Sequence, residues 1–202
     1  MDSANEESIS FLKKHNVICK QIADQDNTDF DKALDHIEEN FPDISFKFMQ
    51  KHPDIKGIQI QIFVMGGLGG RLDHAFSKIS TIGNFMGKPH PKMIIPNVIM
   101  IGEPQITLMD KNSNLCYLRS GKHEIFLNEA FTKKGIGVFP FSGKVFIESK
   151  GLKYEMGKIY HVSSIEMGNI ISSSNEIIGN SFEIEIDKPV LFTAELKQEE
   201  KI

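Results

Sequence analysis

MGGLGGRLDHAFSKIS, residues 65–80, packs four glycines into positions 66–70 and follows them at once with an arginine, an aspartate and a histidine. The run before it, IQIQIFVM (58–65), is apolar and β-branched and reads as a strand. From Arg71 to Met86 the apolar residues Leu72, Phe76, Ile79 and Ile82 or Gly83 share one helical face. Strand, glycine turn and helix in that order make one half of a βαβ unit.

Upstream the alternation continues. Ser3 and Glu6 form a capping-box pattern, which predicts a helix from Ala4 to about His15. VICKQI (17–22) reads as a short strand. Thr28 can cap a second helix with Asp29 and Asp31 in its first turn and Phe30, Ala33, Leu34 and Ile37 as its apolar stripe. FPDISFKFMQKHPDIKG reads as that helix's end plus a loop. This is the pattern of an α/β domain with a parallel sheet.

After about residue 92 the character changes. NVIMI, QITLMD, NLCYLR, HEIFLN, GIGVFPF, KVFIES, NIISSS, SFEIEI and PVLFTAEL are short β-rich runs, most of them separated by Gly, Pro, Ser or Asn. They predict an antiparallel sandwich or barrel. DKNSN (110–114) reads as a turn and sets the boundary, giving domains 1–110 and 111–202.

Composition narrows the function class. The 202 residues carry a formal net charge of −4, which argues against a nucleic-acid surface. No apolar run approaches the roughly 20 residues of a membrane helix, and residues 1–20 lack a signal-peptide layout. The two cysteines, Cys19 and Cys116, make no CxxC pair, so a reducing, cytoplasmic setting is expected.

The glycine turn has two readings. It is a phosphate cradle at a helix N-terminus, or only a tight turn. The standard templates fail: GxGxxG on Gly67 and Gly69 would need glycine where Leu72 stands, and Arg71-Leu72 replaces the Lys-Ser/Thr of a P-loop. Arg71 could fork onto a phosphate, and Asp73 could bind Mg²⁺ or merely complement the helix dipole. His74 has no second histidine at i+4, which excludes an HExxH zinc site. DQDNTDFDK (24–32) gathers aspartates suited to a hard cation, but an EF-hand would need glycine and glutamate where Asp29 and Asp35 stand.

MDS, DQDNTDFDKAL, GGLGGRLDH, SGKHEIFL, GLKYEM, ISSSN and DKPVLFTAEL, in this order, resemble eukaryotic thiamine pyrophosphokinase over essentially the whole chain. The resemblance implies a Rossmann-like catalytic domain followed by a thiamine-binding β-sandwich in a homodimer. It implies diphosphate transfer from ATP to the hydroxyl of thiamine, releasing AMP. Asp2 and Ser3 match the end of the family's Asp-x-Asp-Ser motif, Gln25, Thr28, Asp29 and Lys32 its Thr-Asp-Phe motif, and Gly69, Gly70, Arg71 and Asp73 its Gly-Gly-Arg-x-Asp turn. Tyr154 stands where the family often has Trp, and Ser172, Ser174 and Asn175 match its Ser-x-Ser-Asn strand end.

The implied roles are these. Asp2, Asp29 and Asp73 hold Mg²⁺, with Asp29, Arg71 and Asp73 as the catalytic set. Gln25, Thr28, Lys32, Gly69 and Gly70 bind ATP. Tyr154, Ser172, Ser174 and Asn175 take thiamine near a dimer interface. Two departures matter. The family's upstream strand and the first Asp of Asp-x-Asp-Ser have no counterpart ahead of Met1, which implies lowered stability from an exposed sheet edge. Tyr154 in place of Trp implies weaker stacking on a cationic ring. A binding protein without catalysis, and an unrelated α/β phosphatase or nucleotidase, are the rival readings.

Overall fold

In the computed structural model the described residues are 5–55, 57–88, 99–100, 105–140, 143–157, 165–167 and 172–198. The chain divides into two compact units, residues 1–58 with 89–99, and 59–88 with 100–202.

The first unit carries two helices. α1 (Glu6–Lys14) is capped by Asn5, whose Oδ1 accepts the Ser8 N–H at 2.8 Å; the Ser3 expected as cap lies outside the described residues. α2 (Asp29–Lys51) starts where the sequence places it. Thr28 Oγ1 accepts the Asp31 N–H at 3.2 Å, and the Asp31 carboxylate accepts the Thr28 N–H at 3.0 Å. This reciprocal capping box uses Asp in place of the usual Glu.

α2 runs far past its expected end, through Pro42. Proline's fixed φ is itself helical, so the backbone continues with a hydrogen bond missing. Leu34 and Ser45, the two buried residues of α2, lie about three turns apart on one face and flank the proline. VICKQI, expected as a strand, forms none: residues 17–22 have no assigned element, and Ile18 is 84% exposed. A strand exists only with a hydrogen-bonded partner, and no described strand pairs here.

The expected strand over 58–65 is interrupted. β1 (Gly57–Ile58) pairs with β3 (Ile99–Met100) in a two-stranded sheet, and β2 (Gln61–Met65) belongs to the larger sheet of the second unit. β2 runs parallel to β4 (Gln105–Met109), in register from Gln61↔Gln105 to Met65↔Met109. α3 (Leu72–Met86) makes the crossover between them and packs on β4 and on the strand after it, Ser113–Leu118. Its stripe is buried only toward the C-terminal end. Ile82 and Met86 are buried, whereas Leu72 and Phe76 are exposed. The helix buries its second half and leaves its first turn exposed.

Every strand from β5 on is antiparallel. β5 (Ser113–Leu118), β7 (Thr132–Pro140), β10 (Ser172–Glu176) and β12 (Val190–Leu196) complete a six-stranded mixed sheet in the order β10-β7-β12-β5-β4-β2. β6 (Gly121–Phe126), β8 (Val145–Lys150), β9 (Ile165–Met167) and β11 (Ser181–Ile186) make a second sheet, β6-β11-β8-β9. The turn read at 110–114 is present, with Asp110 Oδ1 accepting from the Asn112 and Ser113 amides at 2.7 and 2.8 Å. It joins β4 to β5 within one sheet. The architecture is thus an α/β portion with one parallel pair, followed by an antiparallel sandwich.

Alternation on the strands builds the sandwich core. Ile136 and Val138 of β7, Phe192 and Ala194 of β12, Val145 and Ile147 of β8, and Phe182 and Ile184 of β11 face the same interior. Phe182 and Phe192 meet across it with centroids 5.7 Å apart. Phe182 is 2% exposed and Phe126 is 70% exposed. Phe182→Ala is therefore expected to cost about 3–5 kcal/mol in urea unfolding, and Phe126→Ala to stay within about 0.5 kcal/mol. Equal losses would contradict this placement of the core.

Candidate functional site

The glycine turn is built by the strand that precedes it. The Gly67 N–H donates to the Met109 carbonyl at 3.2 Å, tying the turn to β4. A Cβ on Gly67 would meet Leu108 at 2.8 Å, so packing requires glycine there. Gly66 and Gly70 adopt φ of 71° and 89°, which L side chains rarely accept. Gly69 differs: its φ is not positive and a Cβ would point into open space. The fold requires three of the four glycines and leaves Gly69 unexplained.

Arg71 and Asp73 open α3. The Arg71 guanidinium donates to Asp73 through Nε at 3.1 Å and Nη2 at 2.5 Å, with both side chains largely exposed. The hydrogen bond from Arg71 holds the Asp73 carboxyl below its ordinary range, so Asp73 is anionic throughout neutral pH. Gly69, Gly70, Arg71 and Asp73 therefore share one end of α3, as the sequence motif implies.

The acidic loop belongs to the first unit. Asp24 accepts from the Asn27 side chain at 2.7 Å and the Asp26 N–H at 2.8 Å, and these bonds, Asn27's first, lower its pKa. Asp31 serves the helix cap. Two of the aspartates that suggested a cation are thus used by local backbone geometry. Lys32 is nearly buried, its side chain 10% exposed and 4.0 Å from Asp29, whose side chain is 62% exposed. Asp29, Lys32, Ala33 and His36 line a cleft of about 240 Å³ with Ile18, Cys19 and Ile22. Gln25 and Thr28 stand beside it in sequence. Asp2 lies outside the described residues. Among the described residues no three His, Cys, Asp or Glu side chains gather into a metal cluster. Burial pushes the Cys116 thiol up to about 12, which disfavours a thiolate there.

On the sandwich side Asn175 is bonded to Tyr154 and Ser172, while Ser174 lines a groove that Tyr154 does not. Ser174 lines a groove of about 630 Å³ on the outer face of the six-stranded sheet, floored by Gly135 and Thr193 and edged by Lys133, Glu176 and Glu195. Asn175 is 4% exposed, and its side chain turns onto the Tyr154 peptide: Oδ1 accepts the Tyr154 N–H at 3.1 Å and Nδ2 donates to the Tyr154 carbonyl at 2.8 Å. The same Nδ2 reaches Ser172 Oγ at 3.4 Å. Tyr154 itself is 59% exposed, with Lys153 Nζ 5.9 Å from its ring centroid. Lys153 also pairs with Glu176 at 2.7 Å, which lowers the Glu176 pKa and raises that of Lys153.

Residues 1–95 match the family described as "Thiamin pyrophosphokinase, catalytic domain", and residues 122–191 match "Thiamin pyrophosphokinase, vitamin B1 binding domain". The chain belongs to the thiamin pyrophosphokinase family. It is 27% identical over 177 residues to Thiamin pyrophosphokinase 1 of Caenorhabditis elegans, covering 87% of this chain and 61% of that protein. Identity to the Bacillus subtilis thiamine pyrophosphokinase is 29% over 157 residues, covering 77% of this chain and 56% of that one. The crystal structure of the Bacillus enzyme superposes with a TM-score of 0.63 at 25% identity, covering 98% of this chain and 76% of that chain. The Candida albicans thiamin pyrophosphokinase shares the fold at a TM-score of 0.71 and 20% identity, covering 97% of this chain and 72% of that one. The chain spans about three-fifths of the length of the curated relatives it matches.

Family motifs locate Tyr154 and Asn175 but miss Glu155 and Ser149, which hold the Tyr154 loop. Their bonds span only three to seven residues, but they match no standard cap or turn pattern. For the glycine turn, Gly70→Ala is expected to destabilise by about 1–2 kcal/mol through strain. Gly69→Ala should be neutral or slightly stabilising by urea melts; a loss as large as that of Gly70→Ala would show that the fold needs glycine at position 69 as well.

Proposed function

We propose that this chain carries out the reaction of its family, transferring diphosphate from ATP to thiamine to give thiamine diphosphate and AMP. The observation that carries the reading is Gly69, a glycine the fold does not need, next to the exposed Arg71–Asp73 pair at the start of α3. A side chain at position 69 would obstruct a ligand approaching the backbone, and an arginine with exposed N–H groups suits phosphate oxygens.

In this proposal residues 1–110 form the catalytic part and 111–202 the thiamine-binding part. The Gly69 and Gly70 amides and Arg71 stabilise charge on the transferred group, and Gln25, Thr28 and Lys32 orient the nucleotide. Asp2, Asp29 and Asp73 are assigned to Mg²⁺. Their hard oxygens suit an ion that typically takes one or two carboxylates plus substrate phosphates rather than a complete protein cage. When bound, Mg²⁺ would neutralise phosphate charge.

Tyr154 offers its ring to the cationic thiazolium, with Asn175 and Ser172 bonded beneath it, and Ser174 on the same strand also serves thiamine. The Lys153 ammonium 5.9 Å from that ring centroid is paired with Glu176 at 2.7 Å, and the exposed ring offers its face to a cation. The thiamine hydroxyl oxygen bonds to the β-phosphorus, the bond from that phosphorus to the bridging oxygen breaks, AMP leaves with that oxygen, and the hydroxyl proton is released. A homodimer in the cytoplasm is part of the same reading. The exposed Phe131, Ile178 and Tyr154 support an interface on the sandwich, and the two free thiols support a reducing compartment.

The test is to incubate the chain with ATP, thiamine and Mg²⁺ and quantify both products. Equal amounts of AMP and thiamine diphosphate are expected. Arg71→Ala should lower kcat by about 10²–10³-fold, and Asp29→Asn should alter the Mg²⁺ dependence. Thiamine binding without AMP formation would favour the non-catalytic binding protein. An unchanged Mg²⁺ response in Asp29→Asn would contradict the metal assignment.

A further inference from the structure

The Tyr154 ring projects into solvent from a loop whose backbone is held at almost every residue. Leu152 and Ile177 form an isolated antiparallel bridge, and Leu152 and Met156 are anchored in the sandwich core. The Lys153 N–H donates to the Glu176 carbonyl at 2.8 Å, and the Ile178 N–H to the Gly151 carbonyl at 3.0 Å. Two side chains close the remainder. Glu155 folds back into the loop, with Oε1 accepting the Gly151 N–H at 2.6 Å and the Leu152 N–H at 3.2 Å and Oε2 accepting the Ser149 hydroxyl at 2.7 Å. Ser149 Oγ in turn accepts the Met156 N–H at 2.8 Å. Asn175 takes both polar groups of the Tyr154 peptide.

We propose that Asn175 and Glu155 are positioning residues that pre-set the Tyr154 ring for an aromatic cation, and that Asn175 acts through Tyr154 rather than by touching the substrate. The inference rests on the thiamine reading above. It assigns a role to Glu155 and changes that of Asn175, whose side chain is buried and whose donor and acceptor are both directed at backbone. A ring on a mobile loop would lose conformational freedom when it stacks on a ligand; a ring on a fixed loop has already lost it. Both clamps act on the backbone, so the ring stays free to meet a ligand from the solvent side.

A double-mutant cycle on the full chain, read by calorimetric titration with thiamine and by steady-state kinetics, tests this. Tyr154→Ala, Asn175→Ala and Glu155→Ala are each expected to weaken thiamine binding by about tenfold. The KM for ATP should stay within about twofold, because the loop serves only one substrate. Glu155→Gln, which keeps the acceptor for the two amides, should recover most of the affinity. The deciding arm is the Tyr154→Ala background, where adding Asn175→Ala should cause no further loss. A further loss there would show that Asn175 contacts thiamine directly and would overturn the proposal. Wild-type affinity in the Asn175 and Glu155 variants, with weakened binding in Tyr154→Ala, would overturn the positioning role while leaving the thiamine reading intact. Wild-type affinity in Tyr154→Ala would contradict the thiamine reading itself. Should Asn175→Ala fail to fold, the Glu155 pair of variants decides by the same comparison of thiamine with ATP.

Discussion

β12 is the strand on which the second unit depends. It pairs with β5 from Val190↔Leu118 to Glu195↔Ser113 and, on its other edge, with β7. Its inward residues Val190, Phe192 and Ala194 lie in the core, while Thr193 and Glu195 line the outer groove. Removing either pairing would separate the β4–β2 side of the sheet from β7 and β10. One strand therefore joins the parallel pair that carries the glycine turn to the antiparallel strands that carry the serines.

That continuity explains why both chemical features sit on fixed elements. The turn at Gly66–Gly70 is held by β4 through Met109 and Leu108. The Tyr154 loop is held by the end of β10 and by Ser149 of β8, one strand from each sheet. A loop anchored to two sheets keeps a fixed geometry. The groove charges are paired as Lys133–Glu195 and Lys153–Glu176. The Glu176 carboxyl, depressed by Lys153, stays ionised above the acid range. Its pairing is lost only as pH falls through that lowered pKa.

Local patterns were legible in the sequence wherever the chemistry is local. Thr28 caps α2, Asp110 closes its turn and the glycines end β2 as their residue types suggest. Failures occurred where a distant partner decides. The run at residues 17–22 looks like a strand but has no described pairing partner, and α2 continues through Pro42 between two residues buried on one face. The stripe of α3 was visible, but which half meets the sheet was not. Among the aspartates of residues 24–32, Asp31 is legible as a cap residue beside Thr28, whereas the local turn closed by Asp24 is not. Glu155 is not legible because its partners, the Gly151 and Leu152 amides and the Ser149 hydroxyl, are exposed to it only once the loop folds back.

We propose that the sandwich presents a preset aromatic ring and serine strand to thiamine while the glycine turn receives the nucleotide. Backbone and tyrosine-ring NMR signals followed during separate titrations with thiamine and with ATP test it most directly. Thiamine is expected to move the Tyr154 ring and Ser174 signals, and ATP those of Gly69, Gly70 and Arg71. Thiamine at saturation leaving Tyr154 and Ser174 in place would contradict the account.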